Sequence, residues 1–272
     1  MQASADAPDN FDARLRQRAT MADNNTLEMK PIVVPNASAR APGSGKIPNT
    51  PLSVSTISFL LGILFSGGMV MFLSGGIQQH WWTTAQLGFF LAAWSAFHWG
   101  EFAVTAGWNR EKCSVDSFLL ENGVQYHLAH STALVEYLLT LYFAPTFKTH
   151  TYITAAGIVL VLIGQILRSA AMIHASTNFS HTVAFRKLDT HTLVTDGVYS
   201  MFRHPSYAGF FYWALGTQLV LQNPLSFVVF IVVLWRFFNS RIKAEEHALI
   251  RFFGQSYTQY RSRVGTKIPF IP

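Results

Sequence analysis

Charge is what this chain most lacks. Only 12% of its 272 residues are Asp, Glu, Lys or Arg, about half the share of a soluble globular domain. Acid is scarcest of all. Between Ser53 and Ser240 the acidic residues are Glu101, Glu111, Asp116, Glu121, Glu136, Asp189 and Asp196. With 50% hydrophobic residues and a mean hydropathy of +0.24, this scarcity excludes an ordinary soluble domain and an intrinsically disordered chain. The one cysteine, Cys113, excludes an intramolecular disulfide framework and a cysteine-built zinc site. No apolar run occurs in the first thirty residues, so no signal peptide is expected. Neither a GxGxxG fingerprint nor an internal repeat is present, so no Rossmann domain is expected. Gly43-Ser44-Gly45-Lys46 lacks the hydroxyl residue that a phosphate loop carries after its lysine.

Long hydrophobic runs take the place of charge. Residues 1–52 are polar and broken by five prolines from Pro31 to Pro51, which reads as a disordered cytosolic tail. Residues 53–272 read as a membrane domain. The run 54–77 has no charged residue and is long enough for a hydrocarbon core that needs about 20 residues. Gln78, Gln79, His80, Trp81 and Trp82 then mark an interface. Further apolar stretches cover 83–105, 126–145, 152–175, 207–221 and 227–238, and Asn223-Pro224 forms a tight turn between the last two. Phe118, Leu119 and Leu120 suggest an amphipathic piece lying on the surface. Beyond Arg241 the pattern is that of an amphipathic helix leaving the membrane, ended by Gly254, with a new turn at Tyr257, Tyr260 and Arg261. Basic residues alternate rich and poor from loop to loop. That pattern predicts six crossings with both termini cytosolic. The net charge of +6 is accounted for by cytosolic loops and anionic headgroups rather than nucleic acid.

Polar residues concentrate in two segments on the basic side, 178–207 and 236–246. Ionisable groups at membrane depth are costly and mark function. Arg203-His204-Pro205-Ser206-Tyr207 opens an apolar helix, where free N–H groups can hold an anion. The same five residues also suit interfacial anchoring, with arginine on lipid phosphate and tyrosine in the aromatic belt. Arg241 and Glu245, four apart, read either as a helical ion pair or as a substrate-gripping arginine beside a ligand-accepting carboxylate. His127, His130 and Glu136 do not make a sufficient ligand set, so no metal is expected. Arg168 either snorkels to the interface or pairs with a carboxylate across the bundle, with Glu101 and Glu136 as the candidates.

The run Asp189-Thr190-His191-Thr192-Leu193-Val194-Thr195-Asp196-Gly197-Val198-Tyr199, followed by Phe202, Arg203-His204-Pro205-Ser206-Tyr207 and Gly209, resembles the isoprenylcysteine carboxyl methyltransferase family. So do Trp235-Arg236-Phe237-Phe238 with Arg241, Glu245 and Glu246, and the ending Phe252-Phe253-Gly254-Gln255-Ser256-Tyr257 with Tyr260, Val264 and Pro269. The likeness extends upstream through Gly164, Arg168, Asn178 and Asp116. The shorter pattern RHPxYxG is also similar to phospholipid N-methyltransferases and membrane sterol reductases, which supply the alternative reading.

The resemblance implies an all-α, polytopic integral membrane helix bundle of about six transmembrane helices, the last two a hairpin, with a cytosolic cofactor pocket. It implies methyl transfer from S-adenosylmethionine to the C-terminal carboxylate of prenylated cysteine in processed CaaX proteins of the small GTPase type, at the endoplasmic reticulum membrane. Cofactor contacts carry over to Ala184, His191, Thr192, Leu193, Val194, Tyr199, His204, Pro205, Ser206, Tyr207 and Glu245. Ala184 stands where familiar members have glutamine. Arg241 matches the residue assigned to the substrate carboxylate and to catalysis. Phe210, Phe211, Trp213, Phe237 and Phe238 are expected either along a lipid route or in plain packing.

Overall fold

The computed structural model describes residues 46–77, 80–187 and 189–272. The expected tail lies outside the described residues as far as residue 45, as do Gln78 and Gln79. Among the described residues the structure is helical, with no strand beyond two isolated bridges. Seven α-helices follow in order: α1 Pro51–Leu73, α2 Ala85–Trp108, α3 Val124–Phe143, α4 Thr151–Ala175, α5 Pro205–Leu221, α6 Pro224–Phe253 and α7 Gln255–Arg263. Local chemistry sets their starts. Thr50 and Thr84 cap α1 and α2 through their hydroxyls, and Pro51, Pro205 and Pro224 occupy first turns where no N–H is missed. Among the described residues three segments are long and apolar enough to cross a membrane: Pro51–Leu73, Thr151–Asn178 and Pro224–Phe253. Large apolar side chains such as Phe59, Ile166 and Val228 stay exposed on them.

Small residues bring the helices together. Gly157 and Gly164 on α4 face Gly216 and Gly209 on α5, seven apart in both helices. A Cβ on Gly164 would sit 2.5 Å from the Trp213 backbone nitrogen. Backbone-to-backbone approach of this kind is how apolar helices associate where lipid removes the hydrophobic incentive.

The α5–α6 connection is two residues, Gln222 and Asn223, and both of its helix ends are satisfied from outside. Lys148 donates to Leu221 O (3.0 Å), Gln222 O (2.8 Å) and Asn223 Oδ1 (2.8 Å). Glu136 accepts from the backbone N–H of Leu225 (3.0 Å) and Ser226 (2.7 Å). A cation thus meets a helix C-terminus and an anion meets an N-terminus, each complementing the macrodipole. Glu136 is therefore spent as a cap. It is not the partner of Arg168, which meets Glu101 instead, and no metal-holding cluster occurs among the described residues.

Two further expectations change. Phe118, Leu119 and Leu120 do not lie open on the surface: the last two are half-buried. Phe118 is fully buried, stacked on Phe102, with its carbonyl held by His98. Its aromatic ring finds a partner on α2 that hydropathy cannot display. Residues 46–49 dock on the same loop, with Lys46 N on the Glu121 carboxylate and Asn49 Oδ1 on Val115 N. The amphipathic extension behaves as expected. α6 runs unbroken to Phe253, Gly254 ends it at φ +54°, and α7 follows.

Candidate active site

The N-terminus of α5, the second half of α6 and the segment between α4 and α5 enclose a polar cavity of about 130 Å³. Its walls include Thr192, Leu193, Val194, Tyr199, His204, Pro205, Ser206, Tyr207 and Glu245. Ala184 and His191 line a smaller hollow of about 90 Å³, which shares Asn178, Thr192 and Glu245 with the first. The sequence-derived set therefore converges, with these two residues at its margin. Asn178 clamps the connecting segment, accepting from Thr192 N (2.8 Å) and donating to Thr192 Oγ1 (3.1 Å).

Glu246 and Arg203 brace this cavity from behind. Arg203 Nε donates to Glu246 Oε1 (2.6 Å), and its other nitrogens donate to Val264 O (2.6 Å) and Pro272 O (2.5 Å). His204 Nε2 lies 3.3 Å from Glu246 Oε1, and its ring stacks on Tyr207. Tyr260 donates to Tyr199 O (2.6 Å), and burial pushes its phenol up to about 12. Arg203 thus serves the fold rather than lipid phosphate, whereas Tyr207 faces the cavity. Glu245 is different: its Oε2 is buried without a hydrogen-bond partner, with His204 Nδ1 at 3.7 Å. A buried acceptor left unpaired is costly, so it marks a place for a donor from outside the chain.

A second cavity, about 190 Å³, lies on the other side of Tyr207 and Ser206, which line both. It is mostly apolar, with Phe210, Phe237 and Phe238 among its walls, and Arg168 and Arg241 supply its positive charge. Through Ala129, Phe230, Val233, Phe237 and Arg241 it adjoins a wide apolar groove of about 1350 Å³ bounded by α3 and α6. Phe211 and Trp213 do not line either space; they are buried in the core.

Arg241 stands where these spaces meet. Its Nε donates to Tyr207 Oη (2.9 Å) and its Nη2 to His181 O. The helical pair with Glu245 does not form, because α5 offers the phenol across the cavity and turns the guanidinium away from its own helix. Arg168 resolves toward Glu101, which it meets bidentately through Nε and Nη2 (2.7 Å for Nη2 to Oε2). Its Nη1 donates to Ser206 Oγ (2.9 Å). His181 completes the wall. Burial pushes its imidazole down to about 4, against a smaller upward pull from Glu101. Sequence reasoning missed His181, Glu246 and Tyr260 as supports. For Glu246 and Tyr260 the available signal was their place among the residues that carry the family resemblance; His181 had none beyond lying in the polar segment 178–207.

A polar hollow and an apolar one share a wall inside a helical bundle whose long apolar segments suit a membrane. Comparison with known proteins makes this specific. Residues 157–251 match the isoprenylcysteine carboxyl methyltransferase family. The protein-S-isoprenylcysteine O-methyltransferase of Saccharomyces cerevisiae is 45% identical over 224 residues, covering 80% of this chain and 91% of that one. Its Xenopus laevis counterpart is 43% identical over 211 residues, covering 78% and 71%. A solved structure of the eukaryotic intramembrane Ras methyltransferase superposes with a TM-score of 0.76 at 36% identity, covering 80% of this chain and 77% of that one. The chain belongs to the isoprenylcysteine carboxyl methyltransferase family. It is a methyltransferase and a multi-pass membrane protein.

Proposed function

We propose that this protein moves a methyl group from S-adenosylmethionine to the C-terminal carboxylate of a prenylated cysteine in processed CaaX proteins, small GTPases among them. The observation that carries this reading is Arg241 in the apolar cavity, hydrogen-bonded to the Tyr207 that lines both cavities. The polar cavity fits the donor. Glu245 Oε2 offers a free acceptor for its ammonium or hydroxyl groups, and Tyr199 and residues 192–194 are among the other walls. When bound, S-adenosylmethionine supplies an electrophilic methyl on a sulfonium.

The chain's own task is then alignment and dryness. A C-terminal carboxylate has a pKa of about 3.3–3.7 and is ionised at neutral pH, so no general base is required. Arg241 fixes it by charge-assisted hydrogen bonds, and Tyr207 holds the guanidinium toward the shared wall. Apolar Phe210, Phe237 and Phe238 exclude water and accommodate the isoprenoid, which reaches them from the bilayer through the α3–α6 groove. The same reading places the protein in the endoplasmic reticulum membrane with six crossings, α5 and α6 as the closing hairpin, both termini cytosolic, and the donor arriving from the cytosol.

Membranes containing the protein, incubated with methyl-labelled S-adenosylmethionine and N-acetyl-farnesylcysteine, should yield a base-labile methyl ester. Label in phosphatidylethanolamine derivatives, with no ester, would defeat the reading.

A further inference from the structure

Two guanidinium groups line the apolar cavity, and they are held in opposite ways. Arg241 is bonded only to neutral oxygens, Tyr207 Oη and His181 O. Arg168 meets a full carboxylate: Glu101 takes both its Nε and its Nη2. The pair is deeply buried, with Arg168 6% and Glu101 1% exposed. The Arg168 guanidinium also lies 5.5 Å from the rings of Phe97 and Phe210. Glu101 itself lies behind Arg168 and lines neither cavity.

A buried ion pair is weak support for stability, since desolvation offsets most of the attraction. Burying two charges beside an active cavity therefore calls for another reason. In a dry space the field of an uncompensated cation is strong and long-ranged. An anionic substrate entering between two bare arginines would divide itself between them. Arg241 touches the shared wall at Tyr207 and Arg168 touches it at Ser206, so position alone does not choose between them.

We propose that Glu101 is a positioning residue that masks the charge of Arg168, leaving Arg241 as the net positive group to which the substrate carboxylate commits. This rests on the carboxyl-methylation reading above. His181, 3.7 Å from Glu101 Oε2, is neutral at physiological pH because burial lowers its pKa to about 4. Glu101 therefore spends its charge on Arg168. The substrate class follows: a carboxylate binds productively and its methyl ester is released, because one unmasked cation attracts the acid and nothing in the wall attracts the ester.

Unmasking gives a signature that simple loss of structure does not. Glu101→Gln should tighten binding of N-acetyl-farnesylcysteine at least about threefold while kcat falls at least about tenfold, because the acid now pairs unproductively with Arg168. Affinity for the methyl ester of the same compound should stay unchanged. The doubly neutral Glu101→Gln/Arg168→Gln variant should return the acid affinity to within about twofold of the native protein. It also decides the matter if the single variant fails to fold, since removing both partners is tolerated better than removing one. Weaker acid binding by folded Glu101→Gln, or acid binding about tenfold weaker in the double variant, would overturn the inference by making Arg168 a carboxylate ligand. A native protein that forms no ester defeats the functional reading itself; one that forms ester while Glu101→Gln weakens acid binding defeats only the masking.

Discussion

The two ends of the α5–α6 pair treat charge differently. At the turn, Lys148 gives all three of its hydrogen bonds to the end of α5 and the turn that follows, and Glu136 gives both oxygens to the start of α6. At the other end Arg203 and Glu246 consume each other, yet Glu245 keeps a buried oxygen unpaired and Arg241 is met only by neutral groups. The lesson is that buried charge alone does not mark the active end of a helical hairpin. What marks it is bonding capacity that the fold leaves unused.

Breaking the open end should cost most. Arg241→Ala is expected to lower kcat/KM by about three orders of magnitude, as loss of an orienting charge in a dry site does. Calorimetric affinity for S-adenosylhomocysteine should stay within about threefold. Equal loss of both would remove the distinction between the donor wall and the carboxylate group. Glu245→Gln should do the reverse, weakening S-adenosylhomocysteine binding by about one to two orders of magnitude while the KM for N-acetyl-farnesylcysteine changes little. A prenyl-substrate KM that rises in step with donor binding would contradict the separation.

The closed end should answer in stability alone. Lys148→Met leaves three buried acceptors unpaired and should destabilise by about 2–4 kcal/mol, read as a lowered thermal midpoint in detergent. Turnover per folded molecule should be unchanged; a selective loss of turnover would tie the turn to the chemistry. The smallest effect is on pH. His181 has its folded pKa lowered to about 4, below an unfolded value of about 6.5. Between these values the unfolded chain binds more protons, so stability is full above about pH 6.5 and falls on acidification. The share of the loss due to His181 from pH 6.5 to 5.5 should be about 1 kcal/mol, and His181→Asn should lessen the slope by that share.

Much of this was legible in the sequence, though not the pairing of its charges. Runs free of charge gave the apolar helices, and Pro205 and Pro224 gave two of their starts. The segment from His191 to Tyr207 together with Glu245 gave most of the polar cavity wall, but only Ser206, Tyr207 and Arg241 of the apolar one. Partners were hidden for a physical reason. Glu101 and Arg168 are 67 residues apart and Glu136 meets Leu225 across 89, separations at which periodicity carries no information. Spacing suggested an Arg241–Glu245 pair on one helix. Tyr207 on the neighbouring helix outcompeted it, and His181 contributes a backbone oxygen that no side-chain pattern encodes. Phe118 was misplaced because its segment reads as amphipathic until Phe102 covers it.

The central claim is that a prenyl tail and the methyl donor approach the shared Tyr207 wall from opposite cavities, the prenyl tail on the side that Arg241 lines. A farnesylcysteine carrying a photoreactive diazirine on its first isoprene unit, irradiated in membranes with S-adenosylhomocysteine present, tests this directly. Peptide mapping should place the adducts on Phe210, Phe237 or Phe238; adducts confined to α1 or to the walls formed by residues 192–199 would contradict it.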